Sequence, residues 1–171
     1  MGFNFNFRDI SSHKDLQMLV DFLIKQDLGY PQYESWVQRT EHELDTGYKN
    51  AILAFSDGHL VGDLIYQPHK ELPNIGEIKN LRIHPGVRRR YFAQFMLRQV
   101  EIEQANRFST LLVDVRSNQS DVITAFRVAG YTEVLRTPLY DPNIEDVVMT
   151  KCFDKTTEMG ILHKTRRLIL G

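Results

Sequence analysis

Three consecutive arginines, Arg88, Arg89 and Arg90, stand directly before a stretch in which Phe92 and Met96 lie four residues apart. That spacing predicts an α-helix with one apolar face, so the arginines fall at its N-terminus. Unsatisfied backbone N–H groups and the helix dipole attract anions to such an end, and guanidinium groups suit phosphate. The segment could bind a pyrophosphate or a ribose phosphate, or it could be a basic turn that only solvates the start of a helix.

A second candidate is Glu77, which lies in a segment, EIKNLRI, whose alternation predicts a β-strand. Alternate residues share a face of a strand, so Glu77 lies with Lys79, Leu81 and Ile83. Apolar surroundings raise the pKa of a carboxyl toward neutrality, where it can exchange protons with a substrate. The alternative is a structural glutamate that pairs with Lys79 or Arg82 on the same strand.

Motifs typical of other enzyme classes are absent from the sequence. The chain has no HExxH, paired CxxC, GxSxG, Walker A or GxGxxG pattern. It therefore lacks the common signatures of zinc proteases, redox dithiols, hydrolases and nucleotide-binding folds. None of its six histidines stands at a metal-ligand spacing. We therefore interpret all six histidines as structural or solvent-exposed.

Composition is typical of a folded protein, because 42% of the 171 residues are hydrophobic and 25% are charged. One cysteine, Cys152, and an N-terminus without a signal-peptide pattern predict a reducing, cytoplasmic location. No apolar run approaches the roughly 20 residues of a membrane-spanning helix. A net charge of -1 argues against a nucleic-acid binder.

Charge is nevertheless unevenly distributed along the chain. Residues 79–107 hold seven basic and two acidic side chains, a net +5, whereas residues 27–57 hold six acidic and two basic ones, a net -4. Such a dipole could attract an anionic cofactor to one part of the molecule and a cationic substrate to another. Solvated helix faces without a binding role would give the same counts.

Hydrophobic periodicity predicts alternating strands and helices, which indicates one three-layer α/β domain. The strands are expected at residues 3–7, 51–55, 59–66, 77–83, 111–115, 131–136 and 147–153. The helices are expected within residues 11–26, 33–46, 92–100 and 122–129. Asp57-Gly58 predicts a tight hairpin, residues 118–121 offer helix-capping side chains, and Gly130 should end the last helix.

Two segments resemble motifs of the GNAT acetyltransferase superfamily. IHPGVRRRYFAQFML is similar to the family's acyl-CoA loop, Arg/Gln-x-x-Gly-x-Gly/Ala, with Arg88 first, Ala93 last and Tyr91 where glycine is usual. TAFRVAGYTEV is similar to the segment AxxFYxxxGF, with Gly130-Tyr131 as its Gly-Phe. Because both occur in the right order within residues 50–151, the chain is identified as a member of this superfamily.

The resemblance implies a GNAT fold, in which helices cover a mixed, mostly antiparallel sheet of about seven strands. Acyl-CoA then enters where the fourth and fifth strands splay apart, and acetyl-CoA is a co-substrate that needs no metal. The cofactor-binding residues implied are Leu81, Arg82 and Ile83 for pantetheine, Arg88, Arg89, Arg90, Tyr91, Phe92 and Ala93 for pyrophosphate, and Asn118. A negative φ would let Tyr91 fit with its ring outward, whereas a positive φ requires a rebuilt loop.

The implied reaction is direct transfer of an acetyl group from acetyl-CoA to a primary amine, with Glu77 as the base. Several GNAT enzymes carry a glutamate at this distance, eleven residues before the loop arginine. The tyrosine that serves as general acid in the family aligns with Phe126, which cannot donate a proton. Tyr91 and Tyr131 are nearby candidates for that role. These departures support a second hypothesis, a degenerate domain that binds acyl-CoA or a partner without catalysis.

The substrate region is expected in the first two helices, where Tyr30, Tyr33 and Trp36 accompany several acidic residues suited to a cationic small-molecule or peptide amine. The alternative is a helix that packs its tryptophan inward and solvates its glutamates. We assign residues 1–154 to the GNAT domain and residues 155–171 to an apolar and basic extension. That extension would pack on its own sheet or across a homodimer.

Overall fold

The computed structural model describes residues 4–27 and 29–153. Within these residues the chain forms seven strands, four α-helices and one short 3₁₀ helix. Their bounds in chain order are β1 Phe5–Asp9, α1 His13–Lys25, α2 Tyr33–Asp45, β2 Asn50–Ser56, β3 His59–Pro68, β4 Ile75–Ile83, a 3₁₀ helix Pro85–Val87, α3 Phe92–Gln104, β5 Thr110–Arg116, α4 Ser120–Val128, β6 Thr132–Asp141 and β7 Ile144–Cys152.

All seven strands belong to one open sheet, in the order β1-β2-β3-β4-β5-β7-β6. β4 and β5 pair in parallel, with Ile75–Ile78 opposite Thr110–Val113. The pairs β1/β2, β2/β3, β5/β7 and β6/β7 are antiparallel. The predicted α/β fold with a mixed, mostly antiparallel sheet of seven strands is therefore confirmed.

The described residues group into two compact units. The first comprises residues 4–67, without residue 28, and residues 79–100. Its core forms where apolar residues of α1 and α2 pack on alternate residues of β2 and β3, among them Leu19, Leu23, Val37, Leu53 and Ile65. Helical spacing on one side and strand alternation on the other place these side chains on facing surfaces.

Aromatic side chains of β1 secure the start of α3 within the same unit. The rings of Phe5 and Phe7 meet the Phe92 ring edge to face, with centroids 4.8 and 5.3 Å apart. Phe92 is 2% exposed. The first residue of α3 is thus anchored in the core, while the turn before it stays at the surface.

Two turns follow the expected glycine chemistry. Asp57 and Gly58, with φ of 50° and 82°, form the tight hairpin between β2 and β3. Gly130, with φ of 92°, follows α4 and donates its N–H to the Arg127 carbonyl, which ends the helix. Both predicted turns are confirmed.

The second unit comprises residues 68–78 and 101–153. Its apolar cluster joins four strands and the loop before β4, through Leu72, Ile75, Leu112, Leu135 and Val148. β6 runs to Asp141, five residues beyond the predicted end, because its hairpin with β7 closes only at Asp141 and Ile144.

The start of α4 differs from the prediction. α4 begins after Gln119, which makes no side-chain capping bond; its carbonyl accepts from the backbone N–H groups of Val122 and Ile123 instead. No described helix is long and apolar enough to cross a membrane. The extension expected at residues 155–171 lies outside the described residues.

Candidate active site

The turn between β4 and α3 is bonded at its start to β3 and to the end of β4. The His84 N–H donates to the Val61 carbonyl of β3 at 2.7 Å. The His84 Nδ1 atom accepts from the Gly86 N–H at 3.1 Å, and the Arg88 Nε donates to the Ile83 carbonyl at 3.2 Å. These bonds hold the first part of the turn against the end of β4.

The second part of the turn has an unusual backbone. Arg89 and Tyr91 have φ of 61° and 63°, the left-handed region in which non-glycine residues are uncommon. Of the two alternatives for Tyr91, the structure has the positive φ, and the loop includes a second left-handed residue. The Tyr91 ring points outward, 70% exposed.

Strain in the turn is held by its neighbours. A left-handed L-residue costs about 1 kcal/mol, so two such residues persist only where the surroundings determine them. Here Arg88 is bonded to Ile83 on one side and Phe92 is buried on the other. Such strain is typical of ligand-binding turns, because alternating backbone conformations direct successive N–H groups at one anion.

Electrostatics of the turn also favour an anion. The side chains of Arg88, Arg89 and Arg90 are exposed. α3, which follows, is 13 residues long and has no acidic residue in its first turn, so its N-terminal dipole is not neutralised locally. Phe92 is buried and Ala93 is half-buried, so at these two positions only the backbone can serve a ligand.

Peptide groups along the end of β4 alternate in direction. The Arg82 carbonyl faces β3, because a Cβ placed on Gly62 would lie 2.9 Å from that oxygen. His84 also bonds β3 through its backbone. Peptide groups of Leu81 and Ile83 therefore point to the other edge of the strand. Of the three residues expected to pair with pantetheine, only Leu81 and Ile83 direct their backbone away from β3.

The Arg82 side chain belongs to a buried polar network. Arg82 is 8% exposed, donates through Nε to Asn80 Oδ1 at 3.0 Å and through Nη1 to the Gln26 carbonyl at 2.5 Å. Its guanidinium lies 5.5 Å from the centroid of the Tyr33 ring. The network therefore links β4 to the end of α1 and the start of α2.

Asp63 of β3 completes this network and was not identified by the sequence analysis. Its side chain is fully buried, and its Oδ2 accepts from Asn80 Nδ2 at 2.6 Å. Among the described residues no donor reaches its Oδ1. Burial raises the pKa of Asp63 to about 7, against the opposing effects of Asn80 and Arg82. An aspartate in the apolar run LVGDLIY was the available signal.

Glu77, the expected base, is half-buried on β4. In the parallel ladder it stands opposite Leu112, and it shares a face of the strand with Ile75, two members of the apolar cluster. Ile75 and Leu112 therefore give Glu77 apolar neighbours within this unit.

Tyr140 of β6 belongs to the same unit as Glu77 and was not identified by the sequence analysis. Its ring is 46% exposed, and its hydroxyl hydrogen-bonds the Asp114 carboxylate of β5. Partial burial, together with the charges of Asp114, Glu77 and Asp146, holds the pKa of Tyr140 well above its ordinary value. The phenol therefore stays protonated and acts as a donor.

The family's acid position is filled by a core ring. Phe126 is 1% exposed and packs edge to face against Tyr131, with centroids 5.0 Å apart. Tyr131 is 3% exposed, and burial, with the charge of Glu101, raises the pKa of its hydroxyl well above its ordinary value. Tyr131 is therefore enclosed and Tyr91 is turned to solvent.

The remaining expected residues lie in different settings. Asn118 is exposed in the turn before α4. Tyr33 is 9% exposed, its hydroxyl donates to the Leu23 carbonyl at 2.8 Å, and Trp36 stacks on it at 5.6 Å between centroids. These contacts support the packing alternative for the first two helices. Within the described residues no group of three or more His, Cys, Asp or Glu could hold a metal.

Comparison with known proteins identifies the fold. No model of a known family matches the chain, and no curated protein matches it. A Desulfovibrio desulfuricans protein described as a GNAT-family acetyltransferase has a TM-score of 0.76 at 11% identity, over 87% of this chain and 99% of that one. A GNAT-family acetyltransferase from Streptococcus pneumoniae has a TM-score of 0.69 at 16% identity, over 88% and 100%.

An enzyme with a known acceptor has the same fold. The ribosomal-protein-S18-alanine N-acetyltransferase of Escherichia coli has a TM-score of 0.67 at 14% identity, over 88% of this chain and 95% of that one. At these identities the likeness concerns the fold and not the substrate. The chain has the GNAT acetyltransferase fold.

Proposed function

We propose that the protein is an acyl-CoA-dependent N-acetyltransferase that moves an acetyl group from acetyl-CoA to a primary amine. The observation that carries the proposal is the turn before α3. It keeps left-handed residues at Arg89 and Tyr91 although neither is glycine. A strained, arginine-rich turn at the N-terminus of a long helix fits a pyrophosphate better than it fits a purely structural connection.

Cofactor binding would use backbone groups more than side chains. N–H groups of residues 88–93 would hold the pyrophosphate, and the guanidinium groups of Arg88, Arg89 and Arg90 would add positive charge around it, that of Arg88 while bonded to the Ile83 carbonyl. Peptide groups of Leu81 and Ile83 would pair with pantetheine as an added strand does. Asn118 remains a candidate contact. The bound thioester supplies the acetyl group.

Glu77 is the proposed base. As the amine nitrogen forms a bond to the acetyl carbon and the carbon–sulfur bond breaks, the nitrogen loses its proton to the Glu77 carboxylate, directly or through a water. A thiol of pKa about 8.5 leaves tolerably well as a thiolate, so its departure requires no protein acid at the sulfur. The thiolate leaves as an anion and takes its proton from water.

Calorimetric titration tests the cofactor half of the proposal. We expect acetyl-CoA to bind in the micromolar range, and the double replacement Arg88→Ala with Arg90→Ala to weaken binding by roughly 10–100-fold. Arg39→Ala, an exposed arginine of α2, is the matched control and should leave binding unchanged. No heat and no thermal shift at millimolar acetyl-CoA would remove both the enzyme and the sensor hypotheses.

Release of free CoA tests the catalytic half. Incubated with a panel of primary amines, the protein should release CoA about 10²–10⁴-fold faster than Glu77→Gln. Glu71→Gln, an exposed glutamate before β4, controls for the loss of one carboxylate. Equal rates for Glu77→Gln and the unaltered protein would mean that Glu77 is structural and that the proton goes elsewhere.

A non-catalytic acyl-CoA sensor is the second candidate, and the buried phenyl ring of Phe126 at the family's acid position favours it. Acetyl-CoA binding without turnover of any amine would select this function. For either function, a cytoplasmic location and a homodimer remain predictions, and sedimentation analysis tests the latter.

A further inference from the structure

The helical segments of the second unit lie on one side of its sheet. The Lys151 Nζ of β7 donates to Glu101 Oε1 of α3 at 2.8 Å and to the Ala129 carbonyl, at the end of α4, at 2.6 Å. In the register of β5 and β7, Lys151 stands opposite Leu111, so these two side chains point to that side. Leu112, the next residue of β5, points to the other side.

The other side of this sheet is apolar and excludes water. Leu112 stands opposite Thr150 of β7, and Val148, two residues before Thr150, stands opposite Leu135 of β6. Leu112 is 5% exposed and Val148 is 0% exposed. We call these four residues, together with Ile75 of β4, the opposite face. A sheet face becomes this dry only under another layer of structure.

The described part of the second unit supplies little of that layer. Residues 69–74, the loop before β4, contribute one apolar side chain to the cluster on the opposite face, that of Leu72. Six residues cannot form a layer over four strands that lie about 4.8 Å apart. The remaining cover therefore has to come from outside residues 68–78 and 101–153.

Residues 154–171 follow in the sequence from one end of the opposite face. The Phe153 N–H donates to the Ser109 carbonyl at 2.8 Å, beside the first residue of β5. Val148 lies five residues back along β7, a distance of about 17 Å. The eight residues 154–161 can span up to about 28 Å when extended. The chain can therefore turn after Phe153 and run back over the opposite face.

The sequence of this segment suits an apolar surface. Four apolar residues recur at a spacing that places them on one side of an α-helix: Ile161, Leu162, Leu168 and Ile169. At about 100° per residue, Lys164 and Arg166 fall on the two borders of this apolar stripe. A helix over residues 161–170 would be about 15 Å long, which matches the stretch of β7 on the opposite face.

Charges around the opposite face are opposite in sign to those of the segment. The same side of the strands carries the acids Glu77, Asp114 and Asp146 and the bases Lys79 and Arg116. Three acids against two bases leave a net charge of -1. Residues 155–171 hold four basic side chains and one acidic side chain, a net charge of +3 with histidine neutral. Charge-assisted hydrogen bonds would favour Lys164 and Arg166 beside the carboxylates.

We propose that residues 161–170 form an amphipathic helix that packs across the opposite face of its own chain. The apolar stripe covers Leu112 and Val148, and Lys164 lies toward the carboxylates of Glu77 and Asp114. Because Glu77 is on this side of the sheet, the segment also borders the space where the proposed base would meet its acceptor. The docking itself does not rest on the proposed acetyl transfer, and its tests use neither acetyl-CoA nor an amine.

Zero-length cross-linking of the unaltered protein tests the docking. A carbodiimide joins an amine to a carboxylate in contact with it, so digestion and mass spectrometry should recover Lys164 linked to Asp114 or Glu77. Glu103 of α3 and Asp121 of α4 are exposed carboxylates on the helical segments and serve as matched controls. Absence of both expected links, or links from Lys164 to the controls alone, would overturn the proposal.

Isotope mixing separates docking within one chain from exchange between two copies. When ¹⁴N-labelled and ¹⁵N-labelled proteins are mixed before cross-linking, the two peptides of each Lys164 link should carry the same isotope. Links that join different isotopes would mean that the segment packs on a second copy, which contradicts docking within the chain.

Two leucine substitutions in the segment test the apolar contact. Leu168→Ala should lower the melting temperature by roughly 4–10 °C, because it removes a buried side chain from the stripe. Leu170→Ala is the matched control, since Leu170 falls on the other side of the same helix, and it should shift the melting temperature by no more than about 2 °C. Equal shifts in the two variants would refute the assigned stripe.

Discussion

Replacing Asp63 by asparagine should remove the loss of stability that ionisation of this buried carboxyl causes as the pH rises. The folded protein holds the Asp63 proton more tightly than the unfolded chain, because burial raises its pKa to about 7 from an ordinary value of 3.8. As the pH rises from about 4 to about 7, the unfolded chain loses this proton first, so the free energy of unfolding falls. Above about pH 7 the full destabilisation is present.

The size of the effect follows from these two pKa values. A tenfold change in proton affinity is worth about 1.4 kcal/mol, so the interval corresponds to an upper limit of about 4 kcal/mol at pH 8. The amide oxygen of Asp63→Asn can still accept from Asn80, but its NH₂ group has no acceptor, which costs about 1–3 kcal/mol. The variant should thus be about 1–3 kcal/mol more stable at pH 8 and less stable at pH 4.

Urea denaturation from pH 4 to pH 8 measures the two stability profiles. They should cross, with the unaltered protein more stable at low pH. Asp15→Asn is the control: the Arg8 side chain lowers the pKa of Asp15, so this variant loses a contribution that is already complete near pH 4, and its profile should lie below and nearly parallel to that of the unaltered protein. Parallel profiles for Asp63→Asn and the unaltered protein would refute a buried, weakly acidic Asp63.

Two further substitutions test the backbone strain and the missing acid. Tyr91→Gly should raise the free energy of unfolding in urea by about 1 kcal/mol, because glycine adopts a φ of 63° without strain. Tyr91→Val should lower it, because valine is β-branched. Equal losses in both variants would show that the tyrosine ring contributes more to stability than the backbone strain costs. Phe126→Tyr should lower the free energy of unfolding by about 1–3 kcal/mol without raising CoA release, since it places a hydroxyl beside Tyr131 in the core. A faster rate would instead show that an acid limits turnover.

Local chemistry was sufficient to predict the elements and several turns. The alternation in β2 and β3, the four-residue spacing in α3, Asp57-Gly58 and Gly130 each depend on neighbours within a few residues, and the structure has all of them. The arginine-rich turn also lies at the start of α3 as expected. The sequence did not decide whether φ at Tyr91 is positive or negative, because this angle depends on how Phe92 is anchored by β1.

Tertiary structure alone decided which distant residues share a face and which are buried. Glu77, Asp114, Tyr140 and Asp146 come from four strands, and only the register of β4, β5, β6 and β7 makes them neighbours. Period-2 alternation shows that alternate residues of a strand share a face, but it does not give the partner of any residue. The burial of Asp63 likewise depends on α1 and α2 packing over β3, a contact between segments far apart in the chain.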